Sequence, residues 1–410
     1  MPEHGRAAAW LRPALLALGT AAALGLARFG YGLLVPAMRA ELGWSLAKAG
    51  TLTTANSLGY LVGALATGPV ARRLSETATF RLGMTLTAAA LAATAVTGSY
   101  PVLLLMRAAA GVSGALVFIA GGVLASRAAA RRGSALPVSI YFAGAGLGIT
   151  VSGTVIPPLL SHHPGRWPLA WVGLAVAAGL ATVFSWPAAA DRTKAGRSAG
   201  QGGASRRGAA AGASQHGAAA GAPLIDWLPV VRMWRVSAAY LMFATGYIAY
   251  ITFLSAYLAV HHASVTQVAV TWAALGAAAI AEPALWNRPL HAWPGARALA
   301  AALAVLSAAA AIAIVSAAPA VVIVSAIGYG ASFLVVPAAI TGLVHAAVPR
   351  HDWTAALAAF TVVFAVGQMA GPYLAGLLAD SYGAGATLVW TAVLCAAGSA
   401  ASLTVRPSRR

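Results

Sequence analysis

The chain has 410 residues, 60% of them hydrophobic and only 8% charged, with 26 lysines and arginines against 8 acids and a formal net charge of +18. So little charge excludes a water-soluble domain, and basic residues parcelled out between apolar runs exclude the clustered basic face of a nucleic-acid-binding protein. What remains is an all-α polytopic membrane protein, with the lipid bilayer as its first partner.

Apolar runs bounded by Gly, Pro, Ser or charge predict twelve spans, each able to cross roughly 30 Å of hydrocarbon as a helix. The first six cover 13–38, 46–70, 80–97, 101–126, 135–160 and 168–186. The second six cover 233–260, 265–287, 297–317, 319–347, 353–379 and 384–405. Arg6 and Arg12 precede the first run as they would in a signal peptide, but the run is too long for an h-region and is read as a retained first helix. Between the two sets, 187–231 is rich in Gly, Ala and Ser and carries Arg192, Lys194, Arg197, Arg206 and Arg207, the composition of a flexible linker. The expected organisation is therefore two six-helix bundles, 1–186 and 232–410. With the N-terminus in the cytoplasm, 21 basic residues fall in inside segments and only Arg39, Lys48 and Arg166 in outside loops, a bias that puts both termini and the linker inside. A shift of 221 residues lays Gly25 and Phe29 over Gly246 and Tyr250, and Gly148 corresponds to Gly367, so the bundles are expected to be pseudo-symmetric. The single cysteine, Cys395, sits in the last run and allows no intramolecular disulfide.

Within the first span, LGLARFGYGLLVPAM places Arg28 near the middle of an apolar helix. A guanidinium at that depth costs about 2.5–3.5 kcal/mol on insertion scales and normally faces a bundle interior or wet cavity. Gly25, Gly30, Gly32 and Pro36 let neighbours approach and the helix bend, and Tyr31, one turn on, is expected on the same face. Arg107 is a second in-membrane guanidinium. Two such groups and few core acids point to an anionic substrate held bidentately; the alternative is that Arg107 caps carbonyls between helices. Among the acids only Glu282, beside Pro283, lies inside a span, where it could carry a proton, pair with Arg28 or Arg107, or snorkel to the interface. His345 is a lesser candidate. The pairs His162–His163 and His261–His262 lack metal-ligand spacing, and no phosphate-binding loop is present, so neither metal nor nucleotide cofactor is expected.

Several stretches together resemble the YbfB/YjiJ-like branch of the major facilitator superfamily, whose members are bacterial inner-membrane proteins. These are ARFGYGLLVPAMRAELGWSLAKAG (27–50), NSLGYLVGAL (56–65), TGYIAYITFLSAYLA (245–259) and AVGQMAGPYLAGLLAD with its Gly371–Pro372 pair (365–380). The resemblance implies a monomeric secondary transporter of a small molecule, working by alternating access, and not an enzyme. It also implies that Asn56 and Tyr60 in span two, Tyr247 and Tyr250 in span seven, Tyr329 and Ser332 in span ten, and Gln368 in span eleven line the cavity with Arg28, Tyr31 and Arg107. Each of these could instead satisfy an interhelical hydrogen bond. Arg107 with Gly111 and Gly114 is similar to a signature associated with proton transfer in exporters, which makes Arg107 and Glu282 the candidates for proton coupling. After span two, Gly68, Arg72 and Arg73 remain of the superfamily's gating loop, with Arg72 at its acidic place. Glycine-rich span five, Gly144 to Gly153, is like that of exporters but lacks their Gly-Pro pair, leaving proton-driven efflux of amphiphiles as the alternative to anion transport. A membrane-embedded enzyme would need clustered catalytic acids or histidines, which the sequence does not offer.

Overall fold

Helices begin and end where apolar patterning meets caps, prolines and charge, and the spans follow from that. The computed structural model describes residues 3–161, 164–190 and 225–405. Ten spans are long and apolar enough to cross a membrane unaided: Trp10–Leu42, Tyr100–Arg132, Leu136–Leu160, Trp167–Ser185, Trp234–Val260, Val265–Ala292, Arg297–Val315, Pro319–Ala347, Arg350–Tyr382 and Ala386–Leu403. The other two, Leu46–Leu74 and Glu76–Ala95, have the length, with 29 and 20 residues, but carry more polar side chains. These twelve, numbered in chain order as spans one to twelve, form two six-helix halves. Several run past their predicted ends because charged residues continue a helix after its apolar stretch stops, as Arg127 to Arg132 do for span four.

Two spans are irregular. Span one runs as α-helix to Thr20, as π-helix over Ala21–Phe29 with all nine residues buried, and again as α-helix over Tyr31–Leu42. Span ten is two half-helices, Pro319–Gly330 and Val335–Ala347, separated by a turn. Packing against span one depends on glycine: a Cβ on Gly25 or Gly148 would collide with the backbone of the other's helix, so spans one and five meet there without side chains between them.

The two halves meet along spans one and seven, two and eleven, and five and eight. Among the described residues every hydrogen bond between the halves comes from residues 46–54 of span two. Asp380 of span eleven accepts from Leu46 N at 2.6 Å and Ala47 N at 3.0 Å, capping the N-terminus of span two from across the interface. Thr54 Oγ1 donates to the Met369 carbonyl at 2.7 Å, and Thr53 and Thr252 share a hydroxyl contact at 3.3 Å. All of these lie at the end of the bundle remote from the chain termini. Toward the other end Tyr60, Phe118, Phe142 and Phe364 remain half-buried. The halves are closed at the remote end.

The stretch expected as linker is partly structured. Arg12 donates to the Ala188 and Ala190 carbonyls at 2.8 and 3.0 Å, Thr77 to Ala189 at 2.7 Å and Arg81 to Trp186 at 2.7 Å, so residues 187–190 are fastened to the first half. Leu228–Arg232 forms a short helix, and Asp226 N bonds the Ala355 carbonyl at 3.2 Å. The basic residues Arg192 to Arg207, the pair His162–His163 and Arg406, Arg409 and Arg410 lie outside the described residues.

A carboxylate on two orphan N–H groups at a helix N-terminus contributes about 0.5–2 kcal/mol. Asp380→Asn is therefore expected to raise the population separated at the remote end by about 2- to 30-fold. The readout is the rate at which an impermeant maleimide labels Thr54→Cys, in a Cys395→Ser background, from that face. An unchanged rate removes Asp380 as a latch.

Candidate functional site

Arg28 closes the π-helical segment of span one, and its side chain is buried, 6% exposed. The wider π turn is confirmed by Gly30 N bonding Gly25 O at 2.9 Å, five residues back. Such turns recur at functional sites because they re-aim side chains relative to a regular helix. Arg28 Nη2 donates to Ser57 Oγ at 3.4 Å, the guanidinium lies 5.2 Å from the Tyr60 ring centroid, and Nε has no protein partner.

Behind it sits Arg107, 1% exposed. Its Nη1 donates to the Ala27 carbonyl at 2.5 Å, and the guanidinium is flanked by the rings of Tyr31, at 5.0 Å, and Trp171, at 5.5 Å. Nε and Nη2 are without partners. Asn56 Nδ2 holds the Arg107 carbonyl at 3.1 Å, tying span two to span four, and its Oδ1 is buried and unpartnered. Among the described residues neither guanidinium forms an ion pair, unlike Arg127 with Glu76 at 2.7 Å. Buried charge without a counter-charge is costly. The first half thus holds two cationic groups with donors to spare.

The second half faces them with aromatic rings. On spans seven and eleven, Tyr240 stacks on Phe364 at 4.9 Å, Phe243 on Tyr247 at 4.6 Å, and Tyr247 on Phe364 at 5.8 Å. Phe333, in the turn of span ten, stacks on Tyr247 at 6.4 Å and meets Phe29 edge-on at 5.7 Å, joining the halves beside Arg28.

Several expected site residues are placed elsewhere. Tyr31 does not share the face of Arg28: the change of helix register after Phe29 turns it toward Trp171, centroids 6.3 Å apart, and its hydroxyl is used by the Ala49 carbonyl at 2.8 Å. Tyr250 and Tyr329 stack on each other at 3.8 Å inside the second half, with hydroxyls bonded to Ser325 Oγ and the Tyr247 carbonyl, both at 2.7 Å. They serve helix packing, because a buried phenol takes the nearest acceptor. Glu282 pairs with neither arginine and does not snorkel: it is 3% exposed, and Oε2 accepts from Leu334 N at 3.2 Å in the break of span ten. One helical turn on, Trp286 Nε1 donates to the Ala331 carbonyl at 2.7 Å, so an i, i+4 pair on span eight satisfies both sides of that break. Gln368 is buried with an unpartnered Oε1. His345 is exposed at the end of span ten, stacked on Trp353 at 4.0 Å, and so lies outside the core. Ser57, Trp171, Trp286, Phe333 and Phe364 were missed; the recurrence of Tyr240, Phe243 and Tyr247 on one face of span seven was the available signal.

The family model described as uncharacterised MFS-type transporter YbfB matches residues 20–405. The chain belongs to that family of the major facilitator superfamily. It is accordingly a multi-pass membrane transporter of small molecules. Solved structures share its fold: a point mutant of the nucleoside transporter NupG, with TM-score 0.67 and 13% identity over 96% of this chain and 98% of that one, and NupG itself, with 0.66 and 13% over 96% and 97%. A bacterial homologue of the human lysosomal transporter Spinster, inward-facing and unoccupied, gives 0.66 and 16% over 96% and 98%. A search of curated protein sequences finds no match. Beside the arginines of this transporter, the crossing of spans one and five is glycine on glycine.

Gly148→Ala is expected to lower stability by about 1–3 kcal/mol, since a Cβ there would press on the Ala21 carbonyl and lie 2.8 Å from Gly25 Cα. Gly173→Ala, where a Cβ has open space, is the control and is expected to be neutral or mildly stabilising. The thermal transition and monodisperse fraction of the detergent-purified proteins measure the difference.

Proposed function

We propose that the protein is a secondary transporter of a small organic anion, a carboxylate in the first instance. It works by alternating access between the bundles 1–186 and 232–410, with 187–231 as their connection. The observation that carries this reading is the pair of buried guanidiniums without an acidic partner, Arg28 foremost, which stands next to the Phe29–Phe333 contact between the halves. Arg28 binds the anion: its contact with Ser57 is long, its face rests on Tyr60, and a carboxylate offers acceptors that neither provides. Arg107 is a positioning residue, since its Nη1 is committed to the backbone of the π segment and its faces to Tyr31 and Trp171. Gln368 and Asn56, with unpartnered oxygens, are placed for hydroxyl or amine groups on the solute.

Glu282 is the proton carrier in this reading. When ionised it accepts from the backbone in the break of span ten; neutral, it is a weaker acceptor, so proton uptake and the geometry of that break are linked. The protein then sits in a bacterial inner membrane with both termini cytoplasmic, supported by the bias of basic residues toward the terminus-bearing end. The closed end is the periplasmic one.

The test is uptake of radiolabelled carboxylates by full-length protein in proteoliposomes, with lipophilic cations as the opposing panel. Removing one partner of a buried charged pair costs about 2–5 kcal/mol, so Arg28→Ala is expected to weaken apparent affinity at least about 30-fold. Arg28→Lys, which keeps charge but loses the fork, should fall between. Transport of the cations alone, unchanged by either substitution, would sink the reading in favour of amphiphile efflux.

Glu282→Gln keeps an acceptor for Leu334 N but cannot titrate. It is expected to abolish acceleration of uptake by an inward proton gradient while counterflow exchange at equal pH persists. Gradient-driven uptake at the wild-type rate would remove Glu282 from coupling.

A further inference from the structure

The arginines speak only for the charged end of a substrate; the rings around Arg28 speak for the rest. On the first-half side, Tyr60 meets Phe118 at 6.3 Å and Phe118 meets Phe142 at 5.1 Å, a row running from span two across span four to span five. Phe118 and Phe142 continue into a groove of about 510 Å³ with Arg127 at its lining. On the second-half side, Tyr240 and Tyr247 flank Phe364 with ring planes within 9° and 14° of parallel, so three rings present nearly one orientation.

The two rows face each other across the interface of the halves. Phe29, next to Arg28 in span one, meets Phe333 at 5.7 Å, and Phe333 stacks on Tyr247 at 6.4 Å, so the second-half row reaches span one beside Arg28. Arg28 lies at the inner end of the first row, 5.2 Å from the Tyr60 ring centroid. Tyr60, Phe118, Phe142 and Phe364 are half-buried, in contrast to Tyr250 and Tyr329, which are sealed within the second half. In the second-half row Phe364 is the half-buried ring, while Tyr240 and Tyr247 are buried.

We infer that the substrate is an aromatic carboxylate, its ring held between Tyr60 and the Tyr247–Phe364 face and its carboxylate on Arg28. The inference rests on the anion reading above and adds the chemistry of the apolar part. An aliphatic acid of equal size would meet the same guanidinium but would forgo ring-on-ring contact on both sides, whereas a planar aromatic ring takes up offset stacking on each. A cationic aromatic solute would be repelled by Arg28. As the halves rock, a ring touching both rows shifts its contacts from one to the other while the carboxylate stays on the first half.

The experiment compares benzoate with cyclohexanecarboxylate, hexanoate and benzamide as competitors of uptake by the full-length protein in proteoliposomes, with binding to the purified protein followed by calorimetry. Cyclohexanecarboxylate matches benzoate in size and charge without a π face, and benzamide keeps the ring without the charge. Benzoate is expected to bind about 5- to 30-fold more tightly than cyclohexanecarboxylate, and Tyr60→Leu or Phe364→Leu should bring that ratio to about 1–3. The wild-type comparison needs no variant, so a poorly folding substitution leaves the test intact. Benzoate no better than the aliphatic acids overturns the aromatic inference and leaves the anion reading standing. Benzamide binding as well as benzoate, or none of the four binding, overturns the anion reading and this inference with it.

Discussion

A guanidinium carries five N–H donors and a charge that cannot be shed, and placing two of them inside an apolar bundle is the constraint around which the first half is built. Each solution uses a different resource. Arg107 takes a backbone carbonyl, Ala27, from the π-helical segment and two aromatic faces, and Asn56 fixes its own backbone. Arg28 takes a long hydroxyl contact and one ring, and keeps donors in reserve. The two are held differently: Arg107 by the Ala27 carbonyl and two rings, Arg28 by one hydroxyl and one ring, and both keep unpartnered nitrogens.

The irregular backbone follows from the same need. Backbone groups freed from a helix ladder inside a membrane must be satisfied by neighbours. In span one the change of ladder register falls at Gly30, close to where Arg107 meets Ala27, and glycine at 25 and 148 lets span five close over it. In span ten the break at 331–334 is answered from span eight, by a carboxylate for an N–H and an indole for a carbonyl. The two breaks meet through Phe29 and Phe333. The break of span ten, answered by Glu282, and the π segment that carries Arg28 are thus packed against each other at this one ring contact.

Legibility in the sequence tracked how unusual a residue is for its surroundings. A charge in an apolar run has few uses, so Arg28 and Arg107 could be singled out, and the basic bias and repeated glycines marked the two halves. Tyrosine in an apolar run has many uses, and nothing local separated Tyr247, stacked on Phe333, from Tyr250 and Tyr329, whose hydroxyls close hydrogen bonds within the second half. The register shift that carries Tyr31 away from Arg28 was hidden as well, because a π turn needs no particular residue. Asp380 carries no local signal; its partners Leu46 and Ala47 stand more than 330 positions away, and only the closed interface brings them together.

That interface also sets the energy scale on which the halves can move. The described hydrogen bonds between them number four, each worth about 0.5–1.5 kcal/mol net. Their sum is of the order of the 5.5 kcal/mol that carries a two-state equilibrium from 1:99 to 99:1. Glycine and small residues elsewhere along spans two, five, eight and eleven add close packing, but little that could not re-form after a rocking motion. A far stronger seal, such as a buried ion pair across the halves, would exceed what a small solute's differential binding can reverse. The polar closure ends at Thr54, one helical turn before Ser57, so span two carries both the closure and the hydroxyl that Arg28 meets.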